Sequence, residues 1–325
     1  MACQRPADAG SSGTKSRVMR IVCALPGVLL LGAGSILAQP APSASPSFQS
    51  RIEEAARALQ NNPRLKNLTE QQRIDRVEFV VGNTLVLLLH EMGHVHISEL
   101  HLPVLGREED AADTFAALTL LKIGTSFSHH ALAEAATGWF LDDRRDQQTG
   151  EKPLFYDEHN LSQQRAFQIV CLMVGSDPVK FKSLADEAKM PETRQKTCKR
   201  DYAKASAAWD TVLKPYRRAP DQPETQIKTV YGDGKGMFDA LAQLFRSIRL
   251  LETVAGHAEA DYVWPSPFTL EMQTCGHPGA DWDDETRIVR FCYESAFDFA
   301  ELYRAYVQPP PVPAPAHTAQ KRKSK

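Results

Sequence analysis

Beyond residue 37 the chain lacks any apolar run of the roughly 20 residues that a membrane-spanning helix needs. Its six cysteines include no C-x-x-C pair, which leaves out the usual thiolate zinc site. No internal repeat is present, so a repeat architecture is excluded. Positive charge is also scarce where a nucleic-acid surface would need it. Residues 1–38 and 308–325 hold eight of the 38 Lys/Arg and one of the 40 Asp/Glu. The remaining body has 30 basic against 39 acidic residues, a balance of −9, which argues against nucleic acid as a partner.

What is present begins with an export signature. Arg17 and Arg20 precede an apolar stretch from Ile21 to Leu37, and Ala38 stands before Gln39-Pro40. This predicts a signal peptide over 1–38, a short linker over 39–47, one domain over 48–307 and a disordered, Pro-rich basic tail over 308–325. A retained N-terminal anchor is the competing reading. The apolar stretch is short and Gly-rich for a spanning helix, so no stable membrane span is expected after cleavage. The protein is then periplasmic or secreted. Without Cys3 and Cys23 the chain keeps Cys171, Cys198, Cys275 and Cys292, an even number that suggests two disulfides in an oxidising compartment. Three pairings are formally open. The sequence-local one, Cys171–Cys198 with Cys275–Cys292, is expected because each bond closes a short helical or hairpin segment.

Hydrophobic periodicity predicts an α+β, predominantly α-helical domain. Helices are expected near 50–60, 83–99, 108–122, 129–146, 160–174, 178–188, 193–213, 236–255 and 293–307. Short strands are expected at 75–81, 227–231, 267–273 and 286–291.

The chemistry is concentrated at His90-Glu91-Met92-Gly93-His94. Histidines four apart differ by only about 40° around a helix, so both imidazoles can meet one metal ion. Glu91 is placed to act on water without ligating. The apolar run Thr84 to Leu89 leads directly into His90, with Asn83 expected as the N-cap of this helix. Polar groups emerging from so apolar a helix need a partner, and a metal supplies one.

A hydrolytic zinc site takes three protein ligands and a water. A third histidine six residues after His94 is excluded, because position 100 is Leu. His96 lies about 200° from His94, and His101 precedes Leu102-Pro103, where the helix should have ended. The remaining source is Gly106-Arg107-Glu108-Glu109-Asp110-Ala111-Ala112-Asp113, the start of a second helix. Glu109 and Asp113 share a face, which allows Glu109 to ligate while Asp113 supports a ligand histidine. Glu108 is the rival third ligand.

Glu109-Asp110-Ala111-Ala112-Asp113 resembles the E-x-x-A-D element of gluzincin metallopeptidases such as the CAAX prenyl endopeptidases, in which the Glu is the third zinc ligand. The chain more closely resembles a bacterial zinc-metallopeptidase family of unassigned function that pairs H-E-x-G-H with L-P-V-L-G-R-E-E-D-A-A-D, matched by Leu102 through Asp113. Asp157-Glu158-His159-Asn160-Leu161, Gln164-Arg165, Cys171, Gly175-Ser176-Asp177-Pro178 and Cys292-Tyr293-Glu294 are further family-like pieces. The resemblance spans roughly 70–305. It implies a zincin-like core with an active-site helix, a second ligand-bearing helix and a small sheet. One departure is Ala280-Asp281-Trp282, where an Asn-Ala-aromatic segment would be expected.

The resulting expectation is an exported zinc peptidase: Zn²⁺ held by His90, His94 and Glu109, Asp113 behind a histidine, and Glu91 acting on the zinc-activated water. Peptide or protein is the substrate. A second electrophile must stabilise the oxyanion; His159 leads, followed by Tyr156, Arg165 and Tyr293, although Arg165 could instead pair with Asp157 or Glu158. The alternative function is a catalytically inactive, zincin-fold metal-binding scaffold of the cell envelope.

Overall fold

The computed structural model describes residues 46–307. The expected signal peptide, most of the linker and the basic tail lie outside the described residues.

In chain order the helices are α1 (Phe48–Ala58), α2 (Glu70–Glu99), α3 (Glu108–Ile123), α4 (Ser126–Thr149), α5 (Ser162–Ser176), α6 (Lys182–Glu187), α7 (Glu192–Leu213), α8 (Asp239–Ile248), α9 (Leu250–Asp261) and α10 (Tyr293–Val307). The strands are β1 (Lys228–Tyr231), β2 (Thr269–Gln273), β3 (Ala280–Asp283) and β4 (Ile288–Cys292). The fold is α+β and mostly helical, as the periodicity predicts.

The axis of the fold is α2, at 30 residues about 45 Å long. It starts thirteen residues before the expected helix. Thr69 caps it, accepting from the Gln72 N–H while the Gln72 side chain accepts from the Thr69 N–H, and this reciprocal cap nucleates the helix ahead of the β-branched run. The expected strand at 75–81 is therefore helical. Its apolar residues satisfy a helix buried on nearly all sides: Val77, Phe79, Val80 and Val81 are all core. Asn83 is not an N-cap but a mid-helix residue. Its Nδ2 donates to Phe79 O at 2.9 Å and to Glu134 O at 3.2 Å, tying α2 to α4. The helix stops where His101 turns left-handed at φ 50°, ahead of Pro103.

Helices α1, α3, α4, α9 and α10 pack around α2, and strands β3 and β4 also reach it. The expected helix at 236–255 is two helices, because Arg249 adopts φ 56° and breaks the chain between Ile248 and Leu250. The sheet runs β1-β2-β4-β3, parallel except for the β3–β4 pair. Strand β3 was not foreseen; four residues with two aspartates carry almost no β signal. Both expected disulfides are formed. Cys171–Cys198 joins α5 to α7 and Cys275–Cys292 closes the β2-to-β4 excursion, with Cα separations of 5.1 and 5.5 Å. Among the described residues no helix is long and apolar enough to cross a membrane.

Candidate metal centre

His90 and His94 stand one turn apart on α2, facing the first turn of α3. Glycine at position 93 allows that approach. A Cβ there would lie 2.8 Å from Ala112 Cα and 3.0 Å from Ala112 Cβ, so α2 and α3 touch backbone to backbone between the two pairs His90/His94 and Glu109/Asp113.

Three atoms converge across this contact. His90 Nε2 and His94 Nε2 are 3.2 Å apart, and Glu109 Oε2 lies 3.0 Å from the first and 3.5 Å from the second. Zinc ligands at about 2.0–2.1 Å in a tetrahedron are separated by about 3.3–3.4 Å. The observed triangle fits that edge to within a few tenths of an ångström. Glu109 Oε2 is moreover buried with no hydrogen-bond partner. Three imidazoles crowd it, yet none is aligned to donate to it. A cation would satisfy that oxygen.

The other ring nitrogens are also held by carboxylates. His90 Nδ1 is 2.8 Å from Asp113 Oδ1, and His94 Nδ1 is 2.8 Å from Glu108 Oε1. Such bonds set the tautomer that leaves Nε2 free to ligate. Asp113 thus lies where the helical phase predicts. Glu108, the rival ligand, lies behind His94 rather than in the triangle.

Charge in the site is strongly coupled. Burial would raise the Glu109 carboxyl, but His159, His90 and His94 around it bring it below the usual carboxylate range. Burial disfavours the imidazolium of His94, but Glu109 and Glu108 outweigh it and push the group up to about 9. His90 is raised likewise by Asp113 and Glu109 against burial. Glu91, only 5% exposed, goes upward because burial dominates; His90 and His94 oppose it, and Glu109 and Asp281 add to it.

Of the four candidate electrophiles, His159 alone reaches Glu109. Its Nε2 is 2.9 Å from Glu109 Oε2 and its Nδ1 is 3.3 Å from Asp157 Oδ1. His90, Glu109 and His159 form a second ligand-capable trio that shares two members with the first. Tyr156 is 86% exposed. Tyr293 is fully buried and donates to Gly232 O at 3.0 Å. Arg165 pairs with neither Asp157 nor Glu158. It reaches Asp113 through two hydrogen bonds, Nε to Oδ2 at 2.8 Å and Nη2 to Oδ1 at 2.6 Å. No sequence spacing foreshadowed that pair, because its members lie 52 residues apart.

A family model, DUF4344, described as "putative metallopeptidase", matches residues 51–213. The chain belongs to this family. The DUF4344 match contains every residue of the cluster, from His90 to Arg165, and ends before the sheet; Cys292-Tyr293-Glu294 falls outside it. Membership supports a general peptidase function, with a metal cofactor and peptide substrates. No curated protein and no solved structure matches the chain.

Proposed function

We propose that the chain is an exported, zinc-dependent peptidase that hydrolyses peptide bonds at the α2–α3 cluster. The observation that carries this reading is the buried, partnerless Glu109 Oε2 beside two histidine Nε2 atoms at tetrahedral-edge separations. His90, His94 and Glu109 would hold the ion. When bound, zinc supplies Lewis acidity towards a peptide carbonyl and makes a water acidic near neutral pH.

The protein's own groups do the rest. Glu91 takes a proton from the attacking water and returns it to the leaving amine. Burial raises its basicity towards the range that such a shuttle needs. His159 Nε2 donates to the oxygen that becomes negative in the tetrahedral state. Strand β3, an outer strand of the sheet and packed on α2, has an edge that is unpaired among the described residues and along which an extended peptide can pair.

Residues 1–38 act as the signal peptide and 48–307 as the mature domain. The two disulfides support export to an oxidising compartment. The deciding measurement is zinc content together with cleavage of a mixed peptide pool, for the wild type and Glu91→Gln. Stoichiometric zinc is expected in both, with cleavage in the wild type alone. Undiminished cleavage by Glu91→Gln refutes the mechanism, and a zinc-loaded wild type that cleaves nothing favours the scaffold alternative.

A further inference from the structure

Arg165 sits in the first turn of α5 and is only 7% exposed. A buried guanidinium is costly unless it is paired and hydrogen-bonded. Here both conditions are met by one residue, since Nε and Nη2 engage the two oxygens of Asp113 as a fork. One face of the guanidinium rests on Trp139 of α4, with Cζ 3.9 Å from the ring centroid. Asp113 Oδ1 accepts from Arg165 Nη2 and is also the atom 2.8 Å from His90 Nδ1. Four helices are thereby linked through one ring nitrogen: Trp139 of α4, Arg165 of α5, Asp113 of α3 and His90 of α2.

His94 has no such backing. Its carboxylate partner Glu108 is about half exposed, with 48% of its side chain accessible, and no arginine or lysine pairs with that carboxylate among the described residues. The two histidines of the cluster are therefore held unequally, one by a clamped buried carboxylate and one by a solvated one.

We propose that Arg165 is a positioning residue for the metal centre, acting through Asp113 to orient His90. The inference rests on the metal-centre reading above, not on peptide cleavage. With both carboxylate oxygens committed to the fork, Asp113 keeps one orientation, and His90 can donate from Nδ1 in only one ring pose. Its Nε2 then faces Glu109 whether or not substrate is present. Trp139 acts as a shelf that keeps the guanidinium in the plane the fork requires. Lysine can replace Arg165 in charge alone, because an ammonium has neither the fork nor the flat face.

The test is zinc affinity by chelator competition, with thermal unfolding of the metal-free protein measured alongside. Removing a supporting contact of this kind costs roughly ten- to a hundredfold in metal affinity, which is expected for Arg165→Met. Arg165→Lys keeps the charge and guards against a variant that fails to fold; it should fall between Met and wild type. Asp113→Asn should weaken zinc by a similar factor. Adding Arg165→Met to Asp113→Asn should then change affinity less than about twofold, because the arginine acts through that carboxylate. In the Co²⁺-substituted protein, Arg165→Met should alter the visible spectrum more than Glu108→Gln does. A purely structural ion pair predicts lower thermal stability with unchanged zinc affinity of the folded protein, and that outcome overturns the proposal. Independent, multiplicative losses in the double variant overturn it as well. A wild type without zinc affinity sinks this inference and the metal reading together, whereas a zinc-binding wild type that cleaves no peptide leaves the inference standing.

Discussion

Gly93→Ala should damage the metal centre far more than the fold. The new Cβ would lie 2.8 Å from Ala112 Cα, against ordinary contact beginning at 3.4 Å, so α2 and α3 must part by about 0.6 Å at this point. Gly93 lies one residue before His94 and three after His90, and Ala112 stands in the same relation to Asp113 and Glu109. The wedge therefore acts between the two halves of the triangle. Edges now at 3.0 and 3.5 Å would open by a similar amount, several times the roughly 0.2 Å latitude of a metal site. Stability has opposing contributions: alanine gains about 1 kcal/mol of helix propensity, and overpacking costs about 1–3 kcal/mol. A net loss of no more than about 2 kcal/mol is expected. Zinc affinity, read by chelator competition, should fall at least tenfold. Gly82→Ala is the matched control. Its Cβ would press Ala131 Cα at 3.1 Å on the α4 side of the same helix, away from the cluster, and should leave zinc affinity unchanged. Wild-type zinc affinity in Gly93→Ala, or an equal loss in Gly82→Ala, refutes the reasoning.

Replacing Glu109 by Ala should abolish tight zinc binding, whereas Glu108→Ala should weaken it only modestly; the reverse order in a zinc titration would exchange their roles. His96 is fully buried, donates from Nδ1 to Met92 O at 2.6 Å and has a partnerless Nε2, and burial pushes it down to about 4. Between about 4 and the unfolded value near 6.5 the unfolded chain holds a proton that the native one does not. Stability from this group is therefore complete above pH 6.5 and is lost as pH falls towards 4, by about 3 kcal/mol in all. Urea unfolding of the metal-free wild type and His96→Phe at pH 7 and pH 5 should show a shallower pH slope in the variant, and parallel slopes would contradict the assignment. Cys171–Cys198 closes a separation of 27 residues and Cys275–Cys292 one of 17, so each double Cys→Ser variant should lose about 3 kcal/mol. Calorimetry showing no change in Tm would mean that the bonds do not form.

The shared face of the two α2 histidines was legible because helical phase is a local property. Four residues along a helix return a side chain to nearly the same direction whatever surrounds it, and the same period puts Glu109 and Asp113 on one face. The disulfides were legible from short separations. Structure departs from the local pattern where a local signal meets a stronger neighbour. The run Val77 to Val81 looks extended alone, but the Thr69–Gln72 cap carries it into a helix buried on nearly all sides. Arg249 carries no breaker signal, yet its left-handed turn lets α8 and α9 pack separately. Strand β3 exists because β4 pairs with it, not because its residues favour extension.

From sequence alone, the chain's residue chemistry and helical phase are settled: two histidines and a glutamate on one helix, acidic residues on the next, and cysteines in an even set. Tertiary structure alone decided which carboxylate meets which nitrogen. Glu109 enters the triangle and Glu108 stays behind His94 because of how closely α3 lies against α2, and the Gly93–Ala112 contact sets that distance. Arg165 reaches Asp113 only because α5 packs on α3. Direction along a helix follows from a 3.6-residue period. The gap between helices follows from every side chain packed around them, and no short stretch of sequence encodes it.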